Sequence, residues 1–201
     1  MAKSEISYLM KNSIQLACCS ISAIFLLTLV SACGSGTGKA KDDKAVAPVA
    51  VEAAEKYSSA DGKFKINFEG KPTVSNQKVP TEVGDIEVHM FIYEKSATEI
   101  FLVGYSDYPS ELIKKSNVAE VIKGAQSGVV SELKAKITEE KNINVGGNDG
   151  IWFRANSDQY YITYKLFLCK NRLYQIGMVR DGSHVTDETA KGFMDTFELV
   201  N

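Results

Sequence analysis

A strand-like and a helix-like hydrophobic pattern are separated by the stretch Ile100-Phe101-Leu102-Val103-Gly104-Tyr105-Ser106-Asp107-Tyr108-Pro109. Residues 100–105 carry no charged or amide side chain, which predicts a strand buried on both faces in the middle of a sheet. Before it, residues 86–93 alternate, and this predicts a strand with one fully apolar and one mixed face. After Pro109, apolar residues recur every three or four positions, as in a helix.

That helix is predicted to begin at Asn117, which with Glu120 fits a capping box. Its apolar stripe comprises Val118, Val121, Ile122, Ala125, Val129 and Leu133. Thr186 is predicted to cap a closing helix. The apolar stripe of the closing helix comprises Ala190, Phe193, Met194 and Phe197.

Alternation and turn residues predict the remaining strands. A first strand covers residues 63–68, and strands at 137–145 and 151–156 are joined by a turn at 146–150. Strands at 160–169 and 173–180 form another hairpin, turned at Lys170 and Asn171. Since short links imply antiparallel pairing, the predicted fold class is α+β, a mainly antiparallel sheet flanked by helices.

The first part of the chain has the pattern of a secretory signal. Lys3 and Lys11 precede a nearly continuous apolar run over residues 14–30. A basic segment, an apolar segment and small residues before a cleavage site are typical of a signal peptide. The run is long enough to span a bilayer, so a transmembrane anchor is the alternative. Residues 1–32 are therefore predicted to be a signal peptide that is removed.

The apolar run ends at Val30-Ser31-Ala32-Cys33, which resembles the lipobox of bacterial lipoproteins. The resemblance implies that Cys33 becomes the lipidated N-terminus and anchors the chain to a membrane of the cell envelope, with palmitate as an expected lipid. Two or more acyl chains hold a protein stably at a bilayer. Gly34 directly after the cysteine resembles the outer-membrane default of bacteria with two membranes.

Beyond the lipobox, residues 33–56 are rich in Gly, Ala, Val, Lys and acidic residues and show no long periodic pattern, which predicts a flexible tether. Residues 57–201 then form one domain of ordinary size. Of the four cysteines, Cys169 alone lies in that domain, so no disulfide within it is expected. The formal net charge of -2 carries no signal of nucleic-acid binding.

Four segments of the domain resemble the PsbP-like fold, an α/β/α sandwich. They are residues 64–72, which end in Gly70-Lys71-Pro72, residues 105–109, which end in Tyr108-Pro109, residues 171–175 with Arg172-Leu173-Tyr174, and residues 193–197 with Phe193 and Phe197. The group includes the PsbP extrinsic subunit of photosystem II, a Ran-binding nuclear transport factor and many uncharacterised exported bacterial proteins. Its better-known members act by binding proteins. The resemblance implies a binding or accessory role and transfers no site residues.

No catalytic, metal or cofactor site is predicted. His89 and His184 are the only histidines, and no His, Cys, Asp and Glu spacing around them suggests a metal site. Cys169 lacks the local pattern of a thiol enzyme, although a histidine base from elsewhere is the alternative. The carboxylates Asp107, Asp158 and Asp181 lie at strand ends and turns without a spacing that pairs them.

Aromatic residues cluster in the late hairpins. The set comprises Trp152, Tyr160, Tyr161, Tyr164, Phe167 and Tyr174. Aromatic side chains suit contacts with proteins or sugars, whereas packing in the sheet core is the ordinary role of such a set. The members that point outward are predicted to form a partner surface.

The sequence therefore predicts a membrane-anchored lipoprotein whose non-enzymatic domain binds a protein or a cell-envelope component. Small-molecule or glycan binding in an aromatic-lined cleft is the alternative, and an unrecognised hydrolase is a further one. The identity of the partner does not follow from the sequence.

Overall fold

The computed structural model describes residues 56–81 and 84–200. The predicted signal peptide, the lipid attachment site at Cys33 and nearly all of the predicted tether lie outside the described residues. Within them, no helix has both the length and the apolar character needed to cross a membrane.

The described chain forms ten strands and three helices. In chain order they are β1 (Tyr57–Ser59), β2 (Phe64–Ile66), β3 (Thr73–Thr81), β4 (Gly84–Ser96), β5 (Glu99–Asp107), α1 (Ser110–Lys115), α2 (Val118–Glu132), β6 (Lys136–Val145), β7 (Asn148–Asn156), β8 (Tyr160–Cys169), β9 (Arg172–Asp181), α3 (Asp187–Met194) and β10 (Glu198–Leu199).

Seven strands form one antiparallel sheet in the order β3-β4-β5-β9-β8-β7-β6. The predicted central strand is confirmed, since β5 lies between β4 and β9 and is buried from Phe101 to Ser106. Strands β1, β2 and β10 form a second, three-stranded antiparallel sheet.

Two hydrophobic cores lie on opposite faces of the large sheet, because successive side chains of a strand point to opposite sides. One core packs beneath α2 and includes Val121, Val129 and Tyr164. The other lies between the sheet and α3 together with the small sheet, and it is largely aromatic, with Phe64 and Phe193 among its members. The face of the large sheet that carries this aromatic core is called the α3 face below.

Both predicted N-cap residues cap their helices, although Asn117 bonds the N–H of Ala119 and not that of Glu120, as the predicted capping box would require. Asn117 Oδ1 accepts a hydrogen bond from the Ala119 N–H at 2.9 Å, and Thr186 Oγ1 accepts one from the Thr189 N–H at 3.1 Å. Each cap satisfies a backbone donor that has no partner within its helix. The stripe of α2 is buried except at Val118, which is 39% exposed because it lies in the first turn, beyond the sheet contact.

Several boundaries differ from the predictions. The first strand shortens to β2, and residues 148–150 belong to β7 because the tight turn needs only Gly146 and Gly147, both with positive φ. Phe197 is buried but lies after the end of α3. The sequence patterns did not predict β1, β3, α1 or β10, which are short or mostly exposed and so carry little periodic signal.

Candidate functional site

A groove of about 350 Å³ lies on the α3 face where β6, β7 and β8 run beside the closing helix. Its lining comprises Glu139, Lys141, Ile143, Trp152, Arg154, Lys165, Asp187, Ala190, Lys191, Met194 and Asp195. The volume is at the small end of the range seen for ligand pockets, about 300–1,000 Å³.

The strand register places cations on both sides of Trp152. Lys141 of β6 and Lys165 of β8 are its direct neighbours on the adjoining strands. Arg154 follows two residues later on β7 and therefore points to the same face. Trp152 is 7% exposed and lies at the base of the groove.

Two of these cations lie against the indole ring. Lys141 Nζ is 4.0 Å from the centre of the Trp152 ring, and Arg154 Cζ is 5.3 Å from it. Both distances are within the range of a cation–π interaction. The aromatic ring therefore holds the two charges at defined positions in the groove.

Carboxylates bind Arg154 and Lys165. Arg154 Nη2 donates to Asp187 Oδ1 at 2.7 Å and to the Val185 carbonyl at 3.2 Å, and Glu139 lies 3.8 Å from Arg154 Nη1. Lys165 is ion-paired with Asp195 just after α3. These pairs connect the sheet to the closing helix.

Lys141 differs from its neighbours, since no carboxylate of the described residues lies within 4.0 Å of its ammonium group. The lining holds four cations, Lys141, Arg154, Lys165 and Lys191, and three carboxylates, Glu139, Asp187 and Asp195. The groove therefore carries an excess of positive charge at Lys141 and Lys191.

His184 lies in the loop before α3, close to Arg154. Burial lowers the pKa of His184 below its ordinary value of 6.5, and the positive charge of Arg154 lowers it further. Its ring meets Tyr161 edge-on at 5.0 Å, and Nδ1 is buried without a hydrogen-bond partner among the described residues. The neutral imidazole is therefore the favoured form at neutral pH.

A second cavity of about 470 Å³ surrounds the turn between β8 and β9. Arg172 dominates it, because Nε and Nη2 each donate to Asp107 at 2.6 Å and Nη1 donates to the Asp61 carbonyl at 2.6 Å. The pKa of Arg172 is raised, chiefly by the hydrogen bonds to Asp107. These contacts tie the small sheet to the large one.

Cys169 is half-buried and lines this second cavity, whereas neither histidine is among its lining residues. His89 lies on β4, stacked on Tyr105 at 4.3 Å between ring centres. A thiol catalyst needs a base within hydrogen-bond reach, and the described contacts do not bring these residues together. Of the three predicted carboxylates, Asp107 ends β5 and is bound by Arg172, Asp181 ends β9, and Asp158 lies in the turn between β7 and β8. Among the described residues, no group of three or more His, Cys, Asp and Glu could hold a metal ion.

The predicted aromatic surface is mostly a core. Tyr164, Phe167 and Tyr174 are at most 2% exposed, and only Tyr160 and Tyr161 are half-buried. Tyr164 packs in the core beneath α2, whereas Trp152 and Tyr174 pack in the aromatic core on the other face. The correction follows from the fold, because adjoining strands and both covering layers bury β8 and β9.

The cations of the groove were missed by the sequence reasoning, which singled out Trp152 alone from this site. Successive side chains of a strand point to opposite faces of the sheet. This alternation could have placed Lys141, Arg154 and Lys165 each on the same face of its strand as the residues two positions away. Which strands adjoin, however, follows only from the pairing.

No protein-family model matches this chain, and no curated protein matches it. The solution structure of cyanobacterial PsbP (CyanoP) from Synechocystis sp. PCC 6803 is similar to it, with a TM-score of 0.51 and 12% sequence identity over 78% of this chain and 98% of that chain. A crystal structure from Bacteroides thetaiotaomicron VPI-5482 has a TM-score of 0.40 and 12% identity, and covers 73% of this chain and 48% of that chain. The likeness to CyanoP shows that the domain has the PsbP-like α+β fold, which confirms the predicted fold class.

Proposed function

We propose that this chain is a lipoprotein held to a membrane of the cell envelope by lipid on Cys33, and that its domain binds a protein partner through the groove beneath α3. The observation that carries the binding role is the position of Lys141, a cation fixed over Trp152 with no carboxylate partner among the described residues. A fixed charge of this kind is available to a ligand without rearrangement of its surroundings.

The chemistry of the groove favours binding without catalysis. Arg154 and Lys165 are occupied by ion pairs with Asp187 and Asp195, so they serve to shape the site. The lining contains no cysteine, serine or histidine that could act as a nucleophile or as an imidazole base. The better-known proteins of the PsbP-like group, which the sequence resembles, also act by binding proteins.

A glycan ligand is less well supported. Sugar recognition commonly uses an open aromatic face, whereas Trp152 is 7% exposed and Lys141 and Arg154 lie over its ring. The carboxylates of the lining, Glu139, Asp187 and Asp195, are exposed and are each engaged with a cation. The groove therefore fits a charged polypeptide better than a neutral sugar.

The anchor is proposed on the motif Val30-Ser31-Ala32-Cys33, and Gly34 supports the outer membrane where the bacterium has two membranes. Replacing Cys33 by Ser is expected to abolish incorporation of labelled palmitate and to leave an uncleaved precursor. Labelled fatty acid on the Cys33→Ser protein would overturn the anchor.

Binding through the groove is tested in membranes with a photo-crosslinking amino acid at Lys191, which lines the groove and is exposed. The matched control carries the same amino acid at Ser127, which is exposed on α2 at the other face. We expect a protein adduct from position 191 that weakens when Lys141 is replaced by Glu. Equal adducts from both positions would contradict the assignment.

A further inference from the structure

The outer edge of β6 ends the large sheet, and no strand of the described residues pairs with it. Its residues are exposed except Ile143 and Val145, which are half-buried, and the strand contains neither Pro nor Gly. Such an edge presents free backbone N–H and C=O groups that another extended chain pairs with readily. The opposite edge, β3, contains Pro80, which has no N–H to donate.

We propose that β6 accepts an extended segment of the partner as an additional antiparallel strand, and that a carboxylate of this segment binds Lys141. This inference rests on the proposed function, since it assigns the chemistry of the partner at the same groove. The strand edge supplies the affinity through backbone hydrogen bonds, and the groove supplies the preference for an acidic side chain.

The register of β6 defines what the segment must contain. Glu139, Lys141 and Ile143 lie opposite Arg154, Trp152 and Gly150, and all three face the groove. In an antiparallel pair, directly opposite residues have their Cβ atoms about 4.5–5.5 Å apart. The partner therefore places an apolar residue beside Ile143 and, two positions later in its own sequence, an acidic residue beside Lys141.

A lysine on an edge strand ordinarily discourages pairing, because its charge extends across the free edge. Lys141 is turned the other way, since its ammonium group lies 4.0 Å from the ring centre of Trp152 on the inner neighbouring strand. It therefore leaves the outer edge open and offers its charge from inside the groove.

The pairing segment begins after an irregularity. The register between β6 and β7 shifts between Ile137 and Glu139, and such bulges bend an edge away from a straight ladder. Glu140 points to the other face, where it is bound by Lys123 and Gln126 of α2. Residues 139–145 are therefore the stretch that accepts the added strand.

The test uses the full-length lipoprotein in detergent and the capped peptide Thr-Ile-Thr-Glu-Thr-Gln-Thr. Trp152 is the only tryptophan of the chain, so its fluorescence reports directly on the groove. We expect the peptide to change this fluorescence in a saturable way and to slow amide hydrogen exchange in residues 139–145. A peptide methylated at the amides that face β6 is expected not to bind, because it cannot form the ladder.

The charge is tested by reversal. We expect Lys141→Glu to weaken binding of the Glu peptide several-fold. A peptide with Lys in place of Glu is expected to bind the Lys141→Glu variant with the lost affinity restored. Lys78→Glu is the matched control, since Lys78 is exposed on the opposite edge strand and should leave binding unchanged. The recovery also shows that Lys141→Glu is folded.

No fluorescence change with the Glu peptide at millimolar concentration, or equal binding of the methylated peptide, would overturn strand addition. Equal binding of the Glu peptide by Lys141→Glu would overturn the contact between its carboxylate and Lys141. The proposed function would survive such a result if the photo-crosslink from position 191 persisted in membranes. If no crosslink formed from position 191 in membranes while the peptide still bound at β6, the proposed membrane partner would be overturned. The strand-addition site on β6 would remain supported.

Discussion

Phe193 and Cys169 contact the same aromatic core but contribute to it unequally. Phe193 is 2% exposed, and its ring centre lies 4.9 Å from that of Phe101 and 5.2 Å from that of Phe68. Cys169 is only half-buried at the margin of this core. The free energy that each side chain adds to folding follows from the apolar surface it removes from water.

Phe193→Ala is therefore expected to lower the free energy of unfolding by about 3–5 kcal/mol, as for other buried phenylalanines. Cys169→Ala should cost much less, because it removes one partly exposed sulfur atom. Urea denaturation of the purified proteins measures both. A loss at Cys169 equal to that at Phe193 would show that the thiol has a role beyond packing.

His184 makes stability depend on pH. Its pKa is lowered in the folded protein, first by burial and then by Arg154, so the unfolded chain binds a proton more readily. The stability contributed by the neutral form is therefore present above the ordinary pKa of 6.5 and is lost as the pH falls below it.

We expect an NMR titration to give His184 a midpoint below 6.5. His184→Gln should reduce the loss of stability between about pH 7.5 and pH 5.5, because it removes the group whose protonation differs between the two states. The measurement is the urea midpoint at both pH values. An unaltered pH dependence in the variant would contradict this account.

At the scale of the element, the β6–β7 hairpin depends on its two-residue turn. Gly146 and Gly147 have φ of 57° and 85°, as in the type I′ turn that matches the twist of paired strands. The Asn144 side chain accepts a hydrogen bond from the Gly147 N–H at 2.9 Å. A Cβ at Gly147 would meet no atom within 4 Å, so a substitution there tests backbone conformation alone.

Gly147→Ala should destabilise the domain by about 1 kcal/mol or more, because L-residues with a Cβ avoid positive φ. Gly192→Ala is the matched control, since Gly192 lies within α3 and its added Cβ also meets nothing within 4 Å. That change should stabilise by about 0.5–1 kcal/mol through helix propensity. Thermal unfolding of both variants measures the two effects. A shift of the melting temperature in the same direction for both variants would contradict the conformational role of Gly147.

At the scale of the whole molecule, two side chains of β9 join the small sheet to the large one. The Tyr174 hydroxyl donates to the buried Gly62 carbonyl at 2.8 Å, and Arg172 donates to the neighbouring Asp61 carbonyl. Both acceptors lie just before β2. The small sheet is therefore held by polar contacts as well as by the aromatic core.

Tyr174→Phe keeps the ring and removes only this hydrogen bond. We expect a loss of about 1–3 kcal/mol, since the Gly62 carbonyl is left buried without its donor. Hydrogen exchange should rise in residues 57–66 more than in β8 or β7. Uniform loss of protection across both sheets would mean that the two sheets unfold as one unit and that the bond has no local role.

The local sequence predicted most of the fold. Strand and helix periods, the caps at Asn117 and Thr186 and the continuous apolar run of β5 all depend on residues near one another in the chain. Strands β1 and β10 escaped prediction because two or three residues are too few to show a period, and β3 escaped it because most of its described side chains are exposed. The sequence alone also suggested the lipobox at Cys33, which remains a prediction.

The candidate site depended on tertiary structure. Trp152, Lys141 and Lys165 lie on three strands whose order and register bring them side by side, and a one-residue slip would send each to the other face. The same pairing buried Tyr164 and Tyr174, which the sequence alone offered as a surface. Periodicity in the sequence indicates which side chains of one strand share a face. Strand pairing determines which strands adjoin, which side chains therefore come together, and which edge strand is left unpaired.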